Sequence, residues 1–301
     1  MLRIAFTFLM SACLLAVHGT AVAASFLPNS PTTLWTPISS PGTVPDTSGD
    51  QGTGKDEGDI VGDDDDPAFY VAFDNAGTSS KVDGTLGFRI RLSDDSQSAG
   101  FNNFLVIGLD FGGGDIDVFL GVDGQGGTDE ILIYQPGGGT NTSPATTSIL
   151  TPALLSYDFS TSNYDFSSVN NTIDPGVETT DFGNNGTDQF LSFTLPFNDL
   201  VTQMGVLGIT IDEDTGVGYI VGTGNNPTNL NQDVNGTESG WDDPTAWTDP
   251  DNGGGSFVYL VTGERTPEPN TFTLVMLGLI GLSCVRRRGA QPTGSRSTAS
   301  Q

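Results

Sequence analysis

The sequence predicts an all-β protein: an antiparallel β-sandwich of jelly-roll-like form, flanked by an N-terminal signal helix and a short C-terminal transmembrane helix. The first observation is a series of short segments in which apolar and polar residues alternate, separated by turns rich in Gly and Asp. A period of two is typical of a strand with one buried face. The second observation is that no long segment with the 3.6-residue helical period occurs between the two ends of the chain.

Residues 1–23 have the layout of a secretory signal peptide. Arg3 supplies an early positive charge, an apolar core runs from Ile4 to Val17, and a small-residue site ends at Ala23. This order predicts cleavage by signal peptidase after Ala23 and secretion by the general pathway. The alternative is a buried N-terminal helix.

Residues 24–66 are predicted to form an acidic lead-in rich in Gly, Pro and Ser. The segment has few apolar residues, so it cannot bury a core by itself and is expected to be loop. Four consecutive aspartates, residues 63–66, lie where it meets the first predicted strand.

Residues 67–263 are predicted to form the β-sandwich domain. In residues 84–95 apolar and polar side chains alternate, so Arg89 and Arg91 are expected to face outward. The expected core residues there are Leu86, Phe88, Ile90 and Leu92. Residues 103–111 are apolar on both faces, which predicts a central strand.

The remaining segments of this domain follow the same reasoning. Residues 148–159 are compatible with a strand or with a short helix broken by Pro152, and a short turn or helix is expected after Pro196. Strands are also predicted at residues 68–74, 115–124, 129–136, 189–195, 206–213, 216–225 and 256–263.

The chain ends in an uncharged segment, residues 271–285, followed by three arginines. As a helix this segment would span roughly 22 Å, against about 30 Å for a bilayer core. Arginine side chains can reach the membrane interface and supply part of the difference, and they place their end of the helix in the cytoplasm. A transmembrane helix is therefore predicted at 271–285; the alternative is a buried C-terminal helix.

This C-terminal arrangement resembles the PEP-CTERM sorting signal. Its defining residues are Pro267, Glu268 and Pro269 before the apolar helix and Arg286, Arg287 and Arg288 after it. The resemblance implies a sorting segment at 264–289 that an exosortase, a membrane protease, cuts near the Pro-Glu-Pro motif. It also implies a transient inner-membrane anchor and delivery to the cell surface or exopolysaccharide of a Gram-negative-type bacterium. A predicted disordered cytoplasmic tail, residues 290–301, departs from the family, whose members usually end soon after the arginines.

The expected mature region, residues 24–265, is strongly acidic. It holds five of the ten basic residues and all but one of the 37 acidic residues, so its net charge is −31. Such a field disfavours nucleic acid and anionic membranes as partners and attracts cations.

The mature region also contains no cysteine and no histidine, because Cys13, His18 and Cys284 lie in the terminal segments. This excludes disulfides, thiolate or imidazole metal sites, and Ser-His-Asp or Cys-His catalysis. A bound metal would be a hard cation held by oxygen atoms, with calcium the first candidate.

Two groups of aspartates are candidate calcium ligands, and in each case the alternative is a solvated turn. The first group consists of Asp59 and the four aspartates at 63–66, and it would lock the lead-in onto the sandwich; the ligands expected are Asp63, Asp64 and Asp66. The second surrounds a Gly-rich turn, and its members are Asp110, Asp115 and Asp117.

Exposed aromatic rings can stack on sugars, and Trp241 and Trp247 lie in a long polar loop. They are candidate carbohydrate-binding residues, together with Tyr157 and Tyr164; the alternative is that they fix loops onto the core. An acid-rich loop, residues 212–214, is a candidate for the carboxylate pair of a glycosidase.

The order of the strand segments resembles a module of bacterial sorted surface proteins and, more loosely, β-sandwich domains of the family 9 carbohydrate-binding type. The segments concerned are DPAFYVAFD, LGFRIRL, NFLVIGLDFGGGDIDVFLGV, FLSFTLPFNDL and NLNQDVNG. A fold does not fix a function. The function expected is a non-enzymatic structural or interaction role at the cell surface or in exopolysaccharide. The alternatives are a calcium-assisted carbohydrate-binding module and a carboxylate-dependent glycosidase.

Overall fold

The computed structural model of the chain describes residues 26–38, 46, 48–52, 56–63, 65–75, 77–93, 100–125, 129–139, 141, 146–169, 174, 182, 187–228, 230, 232–234 and 260–261. The chain divides into two compact units, 1–264 and 265–301, and every described residue belongs to the first. Among these residues no helix is long and apolar enough to cross a membrane. The predicted signal peptide and the predicted transmembrane helix at 271–285 lie outside them.

The described strands form two sheets in which every pairing is antiparallel. The strands of the first sheet are β1 (Thr36–Pro37), β2 (Phe69–Asp74), β3 (Thr85–Leu92), β8 (Tyr164–Ser168) and β9 (Gln189–Pro196). Their order is β1-β2-β3-β9-β8.

The second sheet contains the central part of the chain. Its strands are β4 (Phe104–Asp110), β5 (Val118–Asp123), β6 (Glu130–Tyr134), β7 (Leu155–Asp158), β10 (Gly216–Gly224), β11 (Asp233–Val234) and β12 (Leu260–Val261). The order is β11-β10-β4-β5-β6-β7, and β12 also pairs with β10. One α-helix, α1 (Phe197–Val206), and two 3₁₀ turns, Thr32–Leu34 and Asp56–Gly58, complete the described elements. The all-β prediction is confirmed.

One hydrophobic cluster contains side chains of both sheets. It includes the four predicted inward residues of β3 together with alternate residues of β4, β5 and β9. Phe88 lies at its centre, with its ring centroid 5.3 Å from that of Phe193 and 6.2 Å from that of Phe69. The inward face predicted for β3 is confirmed, because its period-two pattern places these side chains on one side of the sheet.

Strand β4 is central, as its apolar character on both faces predicts. It pairs with β10 on one side and β5 on the other. Leu105 and Ile107 enter the shared core, whereas Phe104 and Val106 join a second buried cluster.

The strand predicted at 206–213 is wrong. Helix α1 continues to Val206, and residues 207–212 are turn and irregular backbone. Gly208, with φ +84°, ends the helix, a conformation that glycine adopts without steric cost. Ile211 is nevertheless buried in the core, so its apolar character reflects packing of a loop rather than a strand. The prediction of a short helix after Pro196 is confirmed by α1.

Parts of the acidic lead-in are buried against the sheets, although their backbone is mostly irregular. Trp35 packs over Gly87 on the outer face of the first sheet, with Phe26 against it. Ile60 and Val61 are fully buried, and Ile60 forms a bridge with Leu92. The few apolar residues of this segment therefore pack against the strands of the first sheet.

Candidate functional site

Several residues singled out from the sequence lie outside the described part of the chain. They are Ala23, Asp64, Trp241, Trp247, Pro267, Glu268, Pro269, Arg286, Arg287 and Arg288.

Asp63 closes a turn with its own neighbours. Its Oδ1 accepts hydrogen bonds from the amides of Asp65, at 2.9 Å, and of Asp66, at 2.8 Å. The amide of Asp63 donates to the carbonyl of Asp66 at 3.0 Å, and the Asp66 side chain is buried. This geometry is that of a turn stabilised by aspartate; calcium binding by these residues stays a prediction.

In the turn between β4 and β5, Asp110 and Asp115 lie near enough to Asp117 for their charges to act on it. Asp110 is buried and accepts hydrogen bonds from the amides of Gly112, at 2.7 Å, and Gly114, at 3.0 Å. Burial raises the pKa of Asp117, with smaller contributions from the charges of Asp110 and Asp115. The amide of Phe111, 2.8 Å from Asp117 Oδ2, opposes this rise. Calcium binding at this turn also stays a prediction.

The two candidate tyrosines are half-buried and engaged in packing. Tyr157 donates a hydrogen bond from its hydroxyl to Asp199 Oδ2 at 2.7 Å. Tyr164 stacks on Phe159 with ring centroids 3.8 Å apart and nearly parallel planes. One face of the Tyr164 ring is thus occupied by a neighbouring side chain.

The acid-rich loop after α1 is held by local bonds. Asp212 Oδ1 accepts hydrogen bonds from the Asp214 amide at 3.0 Å and the Thr215 hydroxyl at 3.1 Å. Asp214 forms an exposed ion pair with Lys81.

A different group of carboxylates gathers between the lead-in and the edge of the second sheet. The carboxylate oxygens that Asp46, Asp50 and Asp233 offer lie within 4.8 Å of one another. Asp46 and Asp233 are buried, and Asp50 is half-buried. Asp233 belongs to β11, so the group joins two segments separated by more than 180 residues of sequence.

A fourth carboxylate, Asp59, lies beside this group and is 1% exposed. Its Oδ2 accepts a hydrogen bond from the Gly49 amide at 2.8 Å. Its Oδ1 is buried and accepts no hydrogen bond from the described residues. We refer to Asp46, Asp50, Asp59 and Asp233 as the acidic cluster.

Hydrogen bonds donated by backbone amides hold the acidic cluster in place. Asp233 accepts hydrogen bonds from the amides of Ile60 and Val234, both at 2.6 Å. The Gly52 amide donates to the Gln232 carbonyl at 2.7 Å. The Ile60 and Gly52 bonds place the lead-in against β11, and of these two only the Gly52 bond joins two backbone groups.

Close approach of buried carboxylates disfavours their ionised forms. Burial, followed by the charges of Asp50 and Asp56, raises the pKa of Asp59 to about 7, against the bonding of backbone amides. Burial and the charges of Asp50 and Asp59 likewise raise the pKa of Asp233 well above its ordinary value. A bound cation would remove this penalty, because it favours the charged form of every carboxylate around it.

Sequence reasoning missed Asp46, Asp50 and Asp233 as possible ligands. Asp59 is predicted only in a group with the run at 63–66. The available signals were an aspartate pair four residues apart and a late aspartate in NLNQDVNG. Neither has the spacing of a known calcium loop, since the ligands meet only when the chain folds.

The comparison with known proteins concerns the C-terminal unit. Residues 265–288 match the family model described as the PEP-CTERM protein-sorting motif, which confirms the sorting motif predicted from the sequence. The match indicates an exosortase-sorted surface protein, and it implies an extracellular or cell-surface location in bacteria. Neither a curated protein nor a solved structure matches the chain. The resemblance to family 9 carbohydrate-binding domains is not confirmed.

Proposed function

We propose that this protein is a non-enzymatic surface or matrix protein of a Gram-negative-type bacterium. The signal peptide at 1–23 directs secretion, and the segment 271–285 anchors the chain briefly in the inner membrane. An exosortase then cuts near the Pro-Glu-Pro motif and releases the domain to the cell surface or exopolysaccharide. The observation that carries this proposal is the sorting-motif match at 265–288.

A structural role is supported by the fold and its charge. Two antiparallel sheets share one core, which supports a β-sandwich of jelly-roll-like form. Arg89 and Arg91 are buried in ion pairs, and Lys81 pairs with Asp214, so carboxylates dominate the charge of the described surface. A polyanionic surface stays hydrated and attracts cations, properties suited to a polysaccharide matrix.

The absence of histidine and cysteine from residues 24–265 supports a non-enzymatic role. A glycosidase would instead rely on a carboxylate pair flanking the scissile bond. In the acid-rich loop, Asp212 bonds its own turn and Asp214 pairs with Lys81, which does not favour that use.

A second candidate is a calcium-assisted carbohydrate-binding module. It is favoured by the position of Asp233, whose strand leads directly in sequence to the loop with Trp241 and Trp247. A glycan array with calcium and with chelator tests it. Glycan binding that requires calcium and is lost in Trp241→Ala would support this candidate.

The sorting proposal is tested in a bacterium that carries an exosortase. We would compare the size and location of the natural chain with those of Glu268→Ala, in which the motif lacks its carboxylate. Glu264→Ala is the matched control, because it removes the same charge just outside the matched residues 265–288. Membrane fractions, surface extracts and exopolysaccharide are probed separately.

We expect the natural chain and Glu264→Ala to be shortened and found outside the inner membrane. Glu268→Ala should keep its full C-terminus and stay in the membrane fraction, as should the natural chain in a strain without exosortase. Equal processing of all forms in both strains would contradict the proposal.

A further inference from the structure

We propose that the acidic cluster of Asp46, Asp50, Asp59 and Asp233 is a calcium site that fastens the lead-in to the edge of the second sheet. The proposal concerns the folded domain and does not depend on how the chain is sorted. It shares Asp59 with the calcium loop predicted around residues 63–66 and no residue with the site predicted at the turn between β4 and β5.

The distances among three of the four carboxylates fit one cation. Calcium binds oxygen ligands at about 2.3–2.6 Å, so two oxygens on one ion lie at most about 5 Å apart. One carboxylate oxygen from each of Asp46, Asp50 and Asp233 lies within 4.8 Å of the other two. They are therefore close enough to share an ion without rearrangement of the backbone.

A second observation independently points to a ligand. Asp59 is 1% exposed, yet its Oδ1 accepts no hydrogen bond from the part of the chain that is described. The side-chain Oε1 of Gln51, next to Asp50, is likewise buried without a hydrogen bond there. Buried oxygen acceptors are almost always satisfied, so such atoms indicate a missing donor or ion.

The described basic residues are engaged elsewhere in the domain. Arg89 pairs with Asp174, Arg91 with Asp188 and Lys81 with Asp214. Two further basic residues in 24–265, Lys55 and Arg265, lie outside the described residues. Lys55 lies between Asp50 and Asp59 in sequence. A Lys55 ammonium is the competing source of positive charge, and the experiment must distinguish it from calcium.

The donor set selects the cation. Carboxylate and amide oxygens suit a hard ion, and the mature region offers no imidazole or thiolate for zinc. Asp46, Asp50 and Asp59 lie outside the β-strands, and Asp233 lies in a two-residue strand, β11. Such a site adapts to the variable geometry of calcium more easily than to the strict octahedron of magnesium.

A cation at this place would join segments that are distant in sequence. Residues 48–52, residues 59–62 and β11 with the adjoining Gln232 already meet through three bonds. These run from the Gly49 amide to Asp59, from the Ile60 amide to Asp233 and from the Gly52 amide to the Gln232 carbonyl. Calcium would replace repulsion among the carboxylates with attraction to a shared ion. The lead-in would then dock firmly only when calcium is present.

The test uses the full chain, produced in a host without an exosortase and purified in detergent. Calcium chloride is titrated calorimetrically, with magnesium chloride as the comparison at matched ionic strength. Thermal unfolding is recorded with each salt and with chelator. We expect saturable binding of calcium and a rise in Tm of about 5–10 °C at a concentration near 100 times Kd.

Variants locate the site. Asp50→Asn is the first choice, because Asp50 is half-buried and the substitution keeps the side-chain volume. Asp233→Asn is the second, although loss of its bonds to two amides also weakens the fold. Asp158→Asn is the matched control, since it removes one exposed carboxylate that belongs to none of the calcium sites considered. Asp115→Asn tests the turn between β4 and β5 separately. We expect Asp50→Asn to weaken calcium binding at the acidic cluster about tenfold or more, and Asp158→Asn to leave it unchanged.

The Lys55→Met variant shows whether calcium or the Lys55 ammonium supplies the positive charge at the acidic cluster. If calcium occupies the cluster, this variant binds calcium as tightly as the natural chain or more tightly. The proposal is overturned if calcium neither binds nor raises Tm, and if the Lys55→Met variant has a lower Tm than the natural chain. It is also overturned if Asp115→Asn weakens calcium binding and Asp50→Asn does not.

Discussion

Arg91 and Asp188 form an ion pair that is completely enclosed by the protein. The Nε and Nη2 atoms of Arg91 each lie 2.7 Å from Asp188 Oδ2, and the two side chains are 0% and 1% exposed. The guanidinium also lies over the ring of Phe182, 4.4 Å from its centroid. The pair is on the face of β3 opposite the shared core, where the sequence pattern predicts solvent.

Removal of one member of this pair should destabilise the domain strongly. Asp188→Ala leaves the Arg91 charge buried without its carboxylate, at an expected cost of about 3–5 kcal/mol in the free energy of unfolding. Urea unfolding in calcium-containing buffer measures the loss. The double variant Arg91→Met with Asp188→Leu should recover most of it, because no buried charge remains. A loss below about 1 kcal/mol for Asp188→Ala would show that the pair is open to water.

Gly84, before β3, should not tolerate a side chain. Its φ is +109°, and a Cβ would lie 2.4 Å from the carbonyl oxygen of Asp74, a backbone atom that cannot turn away. Gly84→Ala should therefore lower the free energy of unfolding by about 1–3 kcal/mol from backbone strain, with the contact adding to it. Gly216→Ala is the control, because its Cβ would meet nothing within 4 Å and its φ is ordinary. Equal stability of the two variants would contradict this account.

Trp35 should determine whether the start of the lead-in docks on the first sheet. Its ring is 4% exposed, lies 4.7 Å from that of Phe26 and receives the guanidinium of Arg89 at 4.5 Å. Trp35→Ala is expected to cost about 3–5 kcal/mol and to make residues near 26–38 accessible to protease. Leu27→Ala, at a site 37% exposed, should change both measurements little. Unchanged proteolysis in Trp35→Ala would mean that other contacts hold the segment.

Asp110 should contribute to stability mainly through its bonds to backbone amides. Asp110→Ala leaves the amides of Gly112 and Gly114 without their acceptor, at an expected cost of about 1–3 kcal/mol. We expect the same loss in calcium and in chelator, because these oxygens already have donors. Asp115→Ala should change stability by less than about 0.5 kcal/mol. A loss for Asp110→Ala that appears only in calcium would instead establish the calcium site predicted at this turn.

Much of the fold could be predicted because strand formation leaves a local pattern. The alternation in β3 and the apolar faces of β4 correctly identified the strand faces, and the sorting motif is a contiguous stretch of sequence. The strand predicted at 206–213 failed because burial of a loop residue, Ile211, produces the same apolar signal as a strand. The candidate site was not predicted, since its ligands have no recognisable spacing.

The sequence by itself determined the sorting motif, the all-β class, the charge and the chemistries that residues 24–265 lack; the secretion signal stays a prediction. These follow from composition or from short contiguous patterns. Only the tertiary structure decided that Arg89 and Arg91 are covered rather than exposed, and that Asp46, Asp50 and Asp59 meet Asp233. The physical reason is the same in both cases: burial and electrostatic environment depend on segments that approach from far along the chain.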